Sequence, residues 1–473
     1  MPSAKHGLID IGLIPLASNR LHTTPIYLIE SKGDVPPYIA QEHVNYATRL
    51  GFFESKNPLC ILPSEDGQIS SVLIKFKSTD RFEIGHLIST LPNGEYAIET
   101  SLPEPDFFDL CLGFCLSCYR FDRYKSKKVT NKVKLHVPNE SIRKKVETFS
   151  KAEYFVRDLI NTPACDLSPD IFEKTITNFA NKFKGETKTI VGKKLLEENF
   201  PLIYSVGAAS ENEPRLIEFK WGKSQSFKLT LVGKGVCFDT GGLNIKPGRS
   251  MSLMKKDMGG AASVLGLAYC IMALGLDVSL RVIIPIVENS ISSNSLRPGD
   301  ILYSRKGYSV EINNTDAEGR LLLADALSYA EEENPDLIIC MATLTGAART
   351  ALGPEITPFY TDNDDLARSL LISSEKAFDP VWRMPFYTPY EYLIESKTGD
   401  LDNAPETPMA GSITAALFLR KFIDKKQSFI HFDTFAWSIK QKPGRPIGGS
   451  MQAVRALYMF LEEQQETTKR VTS

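Results

Sequence analysis

The sequence has 473 residues, of which 42% are hydrophobic and 24% charged, and its 55 basic and 57 acidic side chains leave a formal net charge of -2. This balance excludes a global electrostatic field toward nucleic acid or anionic lipid and is ordinary for a globular enzyme. The length exceeds the size at which a single hydrophobic core usually stops growing, so we expect two domains.

The N-terminal part predicts a mixed α/β domain and contains no recognisable functional motif. The stretch 8–17 is apolar but interrupted by Asp10, which favours a first strand over the core of a cleaved signal peptide. Residues 38–51 follow a helical pattern and residues 69–76 a strand pattern. Elsewhere charges, glycines or prolines interrupt every apolar run before the ~18 to 20 residues that would span a bilayer, so we expect no transmembrane segment.

Three cysteines, Cys111, Cys115 and Cys118, have the C-x3-C-x2-C spacing that holds an iron–sulfur cluster in radical-SAM enzymes. The same spacing places them on one face of a helix, inside the mostly apolar stretch 107–118. That stretch has no proline and no pair of glycines to form a loop, whereas a cluster needs a loop to wrap the iron. We therefore interpret the three cysteines as core residues. Since most of the eight cysteines lie in apolar segments, we expect free thiols and a reducing cytoplasm.

The domain boundary is predicted near residues 140–165, where a mostly polar helical pattern ends at Asn161-Thr162-Pro163. We assign residues 1–140 to the N-terminal domain, 141–164 to a linker helix and 165–473 to the second domain.

Beyond the boundary, predicted strands alternate with predicted helices, which indicates an α/β layered domain. The strands are 229–238, 278–287 and 337–341, and the helices are 259–274 and 320–332. Residues 465–473 are polar and are expected to form a frayed tail.

Seven charged residues between positions 234 and 320 are expected where strands end or helices begin, which is where α/β sheets build their sites. They are Lys234, Asp239, Lys246, Asp257, Asp316, Glu318 and Arg320. Lys234 and Asp239 lie on an apolar strand, where buried charges need partners. Asp316 and Glu318 are two residues apart, so in an extended backbone both side chains point the same way.

The four carboxylates predict a metal site. Converging in an apolar setting they would repel one another and stay protonated, whereas two divalent metals would satisfy them all. No histidine occurs from position 137 to 430, so oxygen atoms, with or without a lysine, would have to bind the metals. Taken singly, each residue also has an ordinary interpretation: an Asx turn for Asp316, a helix N-cap for Asp257 and a solvated strand edge for Lys234.

The same residues resemble a known family, the leucyl or cytosol aminopeptidases. The segment 314–320, Asn-Thr-Asp-Ala-Glu-Gly-Arg, matches the family signature and continues into Leu-Leu-Leu-Ala-Asp-Ala-Leu. Segments 232–235, 238–242, 254–262 and 342–347 also match, at the expected separations. The resemblance covers about residues 150–460. It implies a smaller N-terminal α/β domain and a larger C-terminal three-layer α/β catalytic domain with a mixed central sheet.

The resemblance also implies roles for individual residues. Lys234, Asp239, Asp257 and Glu318 would hold one metal, and Asp239, Asp316 and Glu318 the other, with Mn²⁺ or Zn²⁺ expected. Lys246 would be the catalytic lysine and Arg320 would hold a bicarbonate ion. Residues at the positions of the side-chain pocket are Met254, Thr343 and Gly346. The family is typically a cytoplasmic homohexamer that acts on peptides with a free N-terminus and prefers leucine-like residues.

The sequence departs from the family pattern at Thr240, at Lys255-Lys256 and along residues 431–438, and the last of these leaves the side-chain preference open. Two rival functions remain at this stage. A two-metal phosphoesterase would use the same carboxylates, although it would need more basic or glycine-rich phosphate ligands. A non-catalytic binding or DNA-regulatory member of the family is the other rival.

Overall fold

A computed structural model describes residues 14–17, 23–76, 80–127, 132–223 and 226–472, with side chains up to residue 466. The described residues form two compact units. The N-terminal unit contains residues 14–154 and a later segment, Lys440–Ile447, and the C-terminal unit contains residues 155–439 and 448–472. The division therefore falls within one long helix, Glu140–Asn161.

The N-terminal unit is built on a six-stranded sheet of order β1-β6-β5-β2-β4-β3, in which only β3 and β4 pair in antiparallel fashion among the described strands. The strands are β1 Leu16–Ala17, β2 Thr24–Ile29, β3 Leu59–Pro63, β4 Ile69–Lys75, β5 Gly94–Ile98 and β6 Val133–His136. The helices are α1 Gln41–Arg49, α2 Glu83–Ser89, α3 Glu104–Cys118 and α4 Glu140–Asn161. This confirms the predicted α/β character of the region. Of the predicted first strand, residues 8–13 lie outside the described part.

Helix α3 carries the three cysteines, and the helical interpretation is confirmed. Cys111 and Cys115 are fully buried in the core of the unit, packed with residues such as Phe114 and Leu135. Burial raises the pKa of both thiols well above the usual range. The two thiols therefore fill space between helix and sheet as small apolar groups.

The later segment 440–447 packs into the N-terminal unit through Gly444 and Arg445. The Gly444 amide donates a hydrogen bond to Ser117 Oγ over 3.0 Å, and a Cβ at this position would meet the Phe82 ring at 2.9 Å. The Arg445 guanidinium lies 5.2 Å from the centre of the same ring. The chain thus returns to the N-terminal unit after residue 439.

The C-terminal unit contains the remaining elements, alternating along the chain as predicted. Its strands are β7 Glu186–Val191, β8 Arg215–Trp221, β9 Phe227–Gly233, β10 Gly235–Asp239, β11 Val278–Asn289, β12 Asp300–Tyr303, β13 Ser309–Ile312, β14 Leu337–Ala342, β15 Thr357–Tyr360, β16 Val381–Arg383, β17 Leu401–Asp402, β18 Phe429–Asp433, β19 Trp437–Ser438 and β20 Gly448–Gly449. Its helices are α5 Pro169–Lys182, α6 Lys194–Glu197, α7 Pro201–Gly207, α8 Gly248–Met251, α9 Gly259–Leu274, α10 Glu318–Glu331, α11 Gly346–Leu352, α12 Asp364–Lys376, α13 Gly411–Arg420 and α14 Val454–Thr472. Short 3-10 turns include Met254–Lys256.

The central sheet has the order β16-β15-β18-β14-β9-β11-β8-β7, with β10 pairing β11 beyond the end of β9. Strands β11, β9, β14 and β18 run parallel, whereas β8 runs antiparallel to β11 and β15 antiparallel to β18. Helices α7, α10 and α13 share a core with one face, through side chains such as Val232 and Ile283. On the other face, Phe179 of α5 packs on Phe219 and Tyr269 of α9. A three-layer α/β domain with a mixed sheet is therefore confirmed.

Three predictions about elements are wrong in detail. The single strand 229–238 is divided into β9 and β10, because Lys234 leaves the ladder. Residues 465–472 are not a frayed tail but continue helix α14, anchored where Gln465 bonds both backbone groups of Asp277. One apolar segment does reach membrane-spanning length: Met254–Leu274 passes by length and composition, but 89% of its most apolar window is buried inside the protein.

The N-terminus of α9 packs directly on β14 because Gly260 has no side chain. A Cβ on Gly260 would lie 2.2 Å from the carbonyl oxygen of Met341 and 2.6 Å from the Cα of Ala342. Both are backbone atoms, so the contact can be relieved only by moving the helix away from the sheet.

We expect Gly260→Ala to destabilise the protein by more than the ~1 to 3 kcal/mol typical of overpacking, since backbone must shift. Gly248→Ala is the matched control, because a Cβ there meets nothing within 4 Å. Thermal unfolding followed by circular dichroism compares the two variants. Equal midpoints would show that the helix is not held against the sheet as described.

Candidate metal centre

The functional residues gather at the carboxyl-end edge of the parallel strands, as expected for an α/β sheet. Lys234 occupies the break between β9 and β10, and Asp239 is the last residue of β10. Asp257 directly follows the turn Met254–Lys256. Glu318 is the first residue of α10. Elements that are distant in sequence thus deliver their charged ends to one place.

Each of two lysines lies between two carboxylates. Lys234 Nζ is 2.7 Å from Asp257 Oδ2 and 2.8 Å from Glu318 Oε1. Gly319 leaves room for this side chain, since a Cβ there would be 2.6 Å from Lys234 Cε. Lys246 Nζ is 2.8 Å from Asp239 Oδ2 and also contacts Asp316 Oδ1. All six side chains belong to the set predicted from the sequence, and the structure brings them together.

Burial and mutual charge shift the pKa values in this group. Burial alone would lower the pKa of Lys234 and of Lys246, but the neighbouring carboxylates outweigh it and raise both above the usual lysine range. Burial, followed by repulsion from Asp239, raises the pKa of Glu318 to about 8 and that of Asp316 to about 6. With side chains alone, the lysine ammonium groups therefore supply the positive charge that the carboxylates require.

The donor set fits divalent metal ions. Asp239, Asp316 and Glu318 can each offer one oxygen, and these oxygens lie within 4.8 Å of one another. Asp257 stands beside this triad, linked to Glu318 through Lys234. Carboxylate oxygens close together in a buried position are the ligands that Mn²⁺ and Zn²⁺ accept, and two ions would offset the four negative charges.

One sequence argument was wrong in its geometry although right in its result. Asp316 and Glu318 do not share an extended strand: Asp316 lies in a turn, where its amide donates to Asn314 Oδ1 over 2.8 Å, and Glu318 opens α10. The Asx turn is made by the side chain of Asn314 and not by that of Asp316, so the ordinary interpretation of Asp316 does not apply. The turn aims Asp316 at Asp239 and Lys246.

Sequence reasoning missed the residues that orient the carboxylates. Asn289 Nδ2 donates to Asp239 Oδ1 over 2.8 Å and to the Thr315 carbonyl over 3.1 Å. Thr343 Oγ1 donates to Asp257 Oδ1 over 2.8 Å. Thr343 was expected only at the side-chain pocket, and Asn289 was not expected at all. Each lies 50 or more residues from the carboxylate it supports, so no local pattern could have revealed these two contacts.

The loop after β10 is closed by Gly241 and Thr315. Gly241 has a φ of 87°, and a Cβ there would lie 2.5 Å from the Asn244 carbonyl oxygen. Thr315 Oγ1 donates to the Gly241 carbonyl over 2.6 Å and accepts the Asn244 amide over 2.9 Å. This turn returns the chain so that Lys246 faces Asp239, which a β-carbon at Gly241 would prevent.

Arg320 is buried in the first turn of α10, and one N–H donor of its guanidinium has no partner among the described residues. Its Nη1 donates to the Asn403 carbonyl over 2.6 Å, whereas Nε has no hydrogen-bond partner among the described residues. Burial lowers the pKa of the guanidinium to about 10, so it remains charged at neutral pH. A buried cationic donor without a partner suits a small anion such as bicarbonate.

The three residues expected to line a side-chain pocket surround the end of β14. Thr343 follows this strand, Gly346 begins α11 and Met254 begins the turn before Asp257. The Cγ2 of Thr343 and the Cβ of Ala436 lie 3.1 and 2.3 Å from where a Cβ on Gly259 would stand. Lys256, in the same turn as Met254, is buried, and burial lowers its pKa to about 8.

Comparison with known proteins gives consistent similarities. The model of the "Cytosol aminopeptidase family, catalytic domain" matches residues 154–458, and that of the "M17 aminopeptidase, N-terminal domain" matches residues 40–138. A cytosol aminopeptidase of Encephalitozoon cuniculi is 41% identical over 318 residues, which are 67% of this chain and 65% of that protein's length. The crystal structure of cytosol aminopeptidase from Coxiella burnetii is 42% identical, with a TM-score of 0.90, over 94% of this chain and 98% of that one. A bottromycin maturation enzyme solved in complex with Mn is 28% identical, with a TM-score of 0.83, over 93% and 99% of the two chains.

Replacing Asn289 by alanine removes the donors to Asp239 and to the Thr315 carbonyl, so metal affinity should fall about 10- to 100-fold, the usual effect of losing such a supporting contact. Isothermal titration of Mn²⁺ into metal-stripped protein measures the change. Asn294→Ala is the control, since Asn294 is an exposed loop residue. Unchanged affinity in Asn289→Ala would mean that Asp239 needs no support.

Proposed function

The chain belongs to the cytosol aminopeptidase family, and from that premise we propose that it releases N-terminal amino acids, leucine-like residues by preference, from peptides at a two-metal site. Membership makes it a metallo-exopeptidase, a hydrolase, and thereby decides against the phosphoesterase alternative. The observation that carries the proposal is the convergence of Asp239, Asp316 and Glu318 within 4.8 Å, bordered by the two buried lysines.

The ligand assignment is the one that the family resemblance implies, and the proximity of these side chains supports it. Lys234, Asp239, Asp257 and Glu318 would hold one metal, and Asp239, Asp316 and Glu318 would hold the other, with Asp239 and Glu318 shared. Two divalent ions held there would lower the pKa of water, polarise the scissile carbonyl and attract the free α-amine of the peptide. Mn²⁺ or Zn²⁺ is the proposed pair, and the related bottromycin maturation enzyme was solved with Mn.

The two lysines have opposite tasks. Lys234 must lose its proton to act as a ligand, and although the carboxylates raise its pKa, a nearby dication would reverse that effect. Lys246 would stay charged, because it is not a ligand and its side chain is 13% exposed to water, against 3% for Lys234. From that position the Lys246 ammonium would stabilise the oxyanion that develops on the scissile carbonyl, an interaction worth about 3 to 4 kcal/mol for one preorganised donor.

Arg320 supplies the proton-transfer group indirectly. Its unpartnered Nε, fixed by the Nη1 bond to Asn403, would hold a bicarbonate ion. Bicarbonate can accept and return a proton near neutral pH, which is the general-base function that no described histidine near the carboxylates provides. Arg320 therefore acts by orienting this ion.

Specificity and assembly complete the proposal. Met254 and Thr343, with Gly346 leaving open space, would contact the side chain of the N-terminal residue, which suits leucine-like groups. The names of the relatives support a cytoplasmic location, and the family supports a homohexamer. Sedimentation or size-exclusion chromatography with light scattering would show the proposed assembly as six times the 52.7 kDa chain.

The proposed function is tested with metal-stripped protein on a panel of aminoacyl-anilides, adding back Mn²⁺, Zn²⁺, Co²⁺ or Mg²⁺ separately. We expect no hydrolysis without metal, restored hydrolysis with Mn²⁺ or Zn²⁺, and the highest kcat/KM for leucine. N-acetylated leucyl-anilide should resist, because the free amine is part of the recognition. Hydrolysis of the acetylated substrate at the same rate would contradict an exopeptidase.

Two substitutions separate metal binding from catalysis. Glu318→Ala should lose metal and activity together, because it removes the shared ligand. Lys246→Ala should retain both metals by elemental analysis and lose about 100- to 1,000-fold in kcat. Lys194→Ala, at an exposed lysine, serves as the control. A metal-replete Lys246→Ala enzyme with near-normal turnover would overturn the role given to Lys246.

A further inference from the structure

Lys256 and Arg349 place two positive charges around one aromatic ring. Lys256 Nζ lies 5.2 Å and Arg349 Cζ 4.6 Å from the centre of the Phe435 ring. Lys256 is 2% exposed, and Arg349 and Phe435 are half-buried. Among the described residues, no carboxylate forms an ion pair with either cation. Two like charges therefore share one weakly attractive ring, and the carboxylate next to Lys256 in sequence, Asp257, is already paired with Lys234.

This pair borders the residues proposed to receive the substrate side chain. Lys256 closes the same 3-10 turn that Met254 opens. Arg349 Nη2 lies 3.6 Å from where a Cβ on Gly346 would stand. Phe435 precedes Ala436. Both Ala436 and Thr343 lie beside Gly259. Met254 and Gly346 thus lie next to Lys256 and Arg349 respectively, and Thr343 lies beside Gly259 together with the residue that follows Phe435.

Of the two consecutive lysines, Lys255 and Lys256, only Lys256 lies over the Phe435 ring. Lys255 Nζ donates to the Asn161 carbonyl over 2.7 Å and lies 5.9 Å from the Trp437 ring, so its charge is used elsewhere. The positive charge beside the pocket therefore comes specifically from Lys256 and Arg349. A buried ammonium group is stabilised by a hydrogen-bonded anion far better than by a ring face.

We propose that Lys256 and Arg349 bind the carboxylate of an acidic N-terminal residue, glutamate or aspartate, so that acidic as well as leucine-like residues are released. This inference rests on the proposed aminopeptidase function. The methylene groups of glutamate would pack where leucine packs, near Met254 and Thr343, and its carboxylate would meet the two cations. Leucine brings no charge to the two cations, whereas glutamate brings one negative charge that both can contact.

The test compares glutamyl-anilide with glutaminyl-anilide, which has the same size but no charge. We expect kcat/KM to be higher for the glutamyl substrate in the full-length metal-loaded enzyme. Lys256→Met, which keeps the apolar stem, should lower the glutamyl-to-glutaminyl ratio about tenfold or more, the effect of losing one charge-assisted hydrogen bond. Arg349→Gln should lower it in the same direction. Lys255→Met, the matched control, should leave the ratio unchanged.

Several outcomes overturn the inference. A glutamyl-to-glutaminyl ratio at or below one in the parent enzyme does so, as does a ratio unchanged in both Lys256→Met and Arg349→Gln. Circular dichroism identifies a variant that fails to fold, in which case the other variant decides. Hydrolysis of leucyl-anilide in each variant separates this result from failure of the proposed function. If no anilide is hydrolysed, calorimetry measures the binding constants of glutamic acid α-amide and glutamine α-amide. Their ratio is then compared among the same variants.

Discussion

The structure depends on neutralising negative charge at one buried edge of the central sheet. Asp239, Asp257 and Glu318 are each nearly inaccessible to water, and an isolated buried carboxylate costs several kcal/mol. Lys234 and Lys246 enter the same space from the strand break and from the loop after β10. Because ammonium groups and divalent cations can both offset these carboxylates, the fold tolerates a highly charged centre inside an apolar unit.

The surrounding backbone is shaped by this requirement. Lys234 can reach Glu318 because position 319 has no side chain, and Lys246 can return to Asp239 because Gly241 adopts a positive φ. Helix α9 lies against β14 for the same kind of reason, since Gly260 allows the backbones to touch. Small residues therefore do not merely loosen the chain here. They allow long charged side chains and rigid elements to occupy positions that a β-carbon would block.

Local patterns in the sequence were sufficient for the elements and for the residues that carry charge. Alternating apolar segments predicted the layered α/β unit, and the spacing around Asp316 and Glu318 predicted that both would face one site, although the backbone that achieves this is a turn and a helix start. The supporting contacts of Asn289, Thr343 and Asn403 could not be predicted, because their partners lie 50 to 89 residues away and a single amide or hydroxyl has no pattern. The division of the predicted strand at Lys234 was missed, because strand propensity is calculated from local composition. It does not show where a buried lysine leaves the strand to reach its carboxylate partners.

Segment 440–447 makes the N-terminal unit discontinuous in the chain, which affects biosynthesis. Residues 14–154 leave the ribosome about 290 residues before the segment that packs on Phe82 and Ser117. At ~5 to 20 residues per second, that interval lasts about 15 to 60 s. During this time the nascent unit would expose the apolar surface around Phe82 that Gly444 later contacts, so it would be open to chaperones until residues 440–447 have been translated.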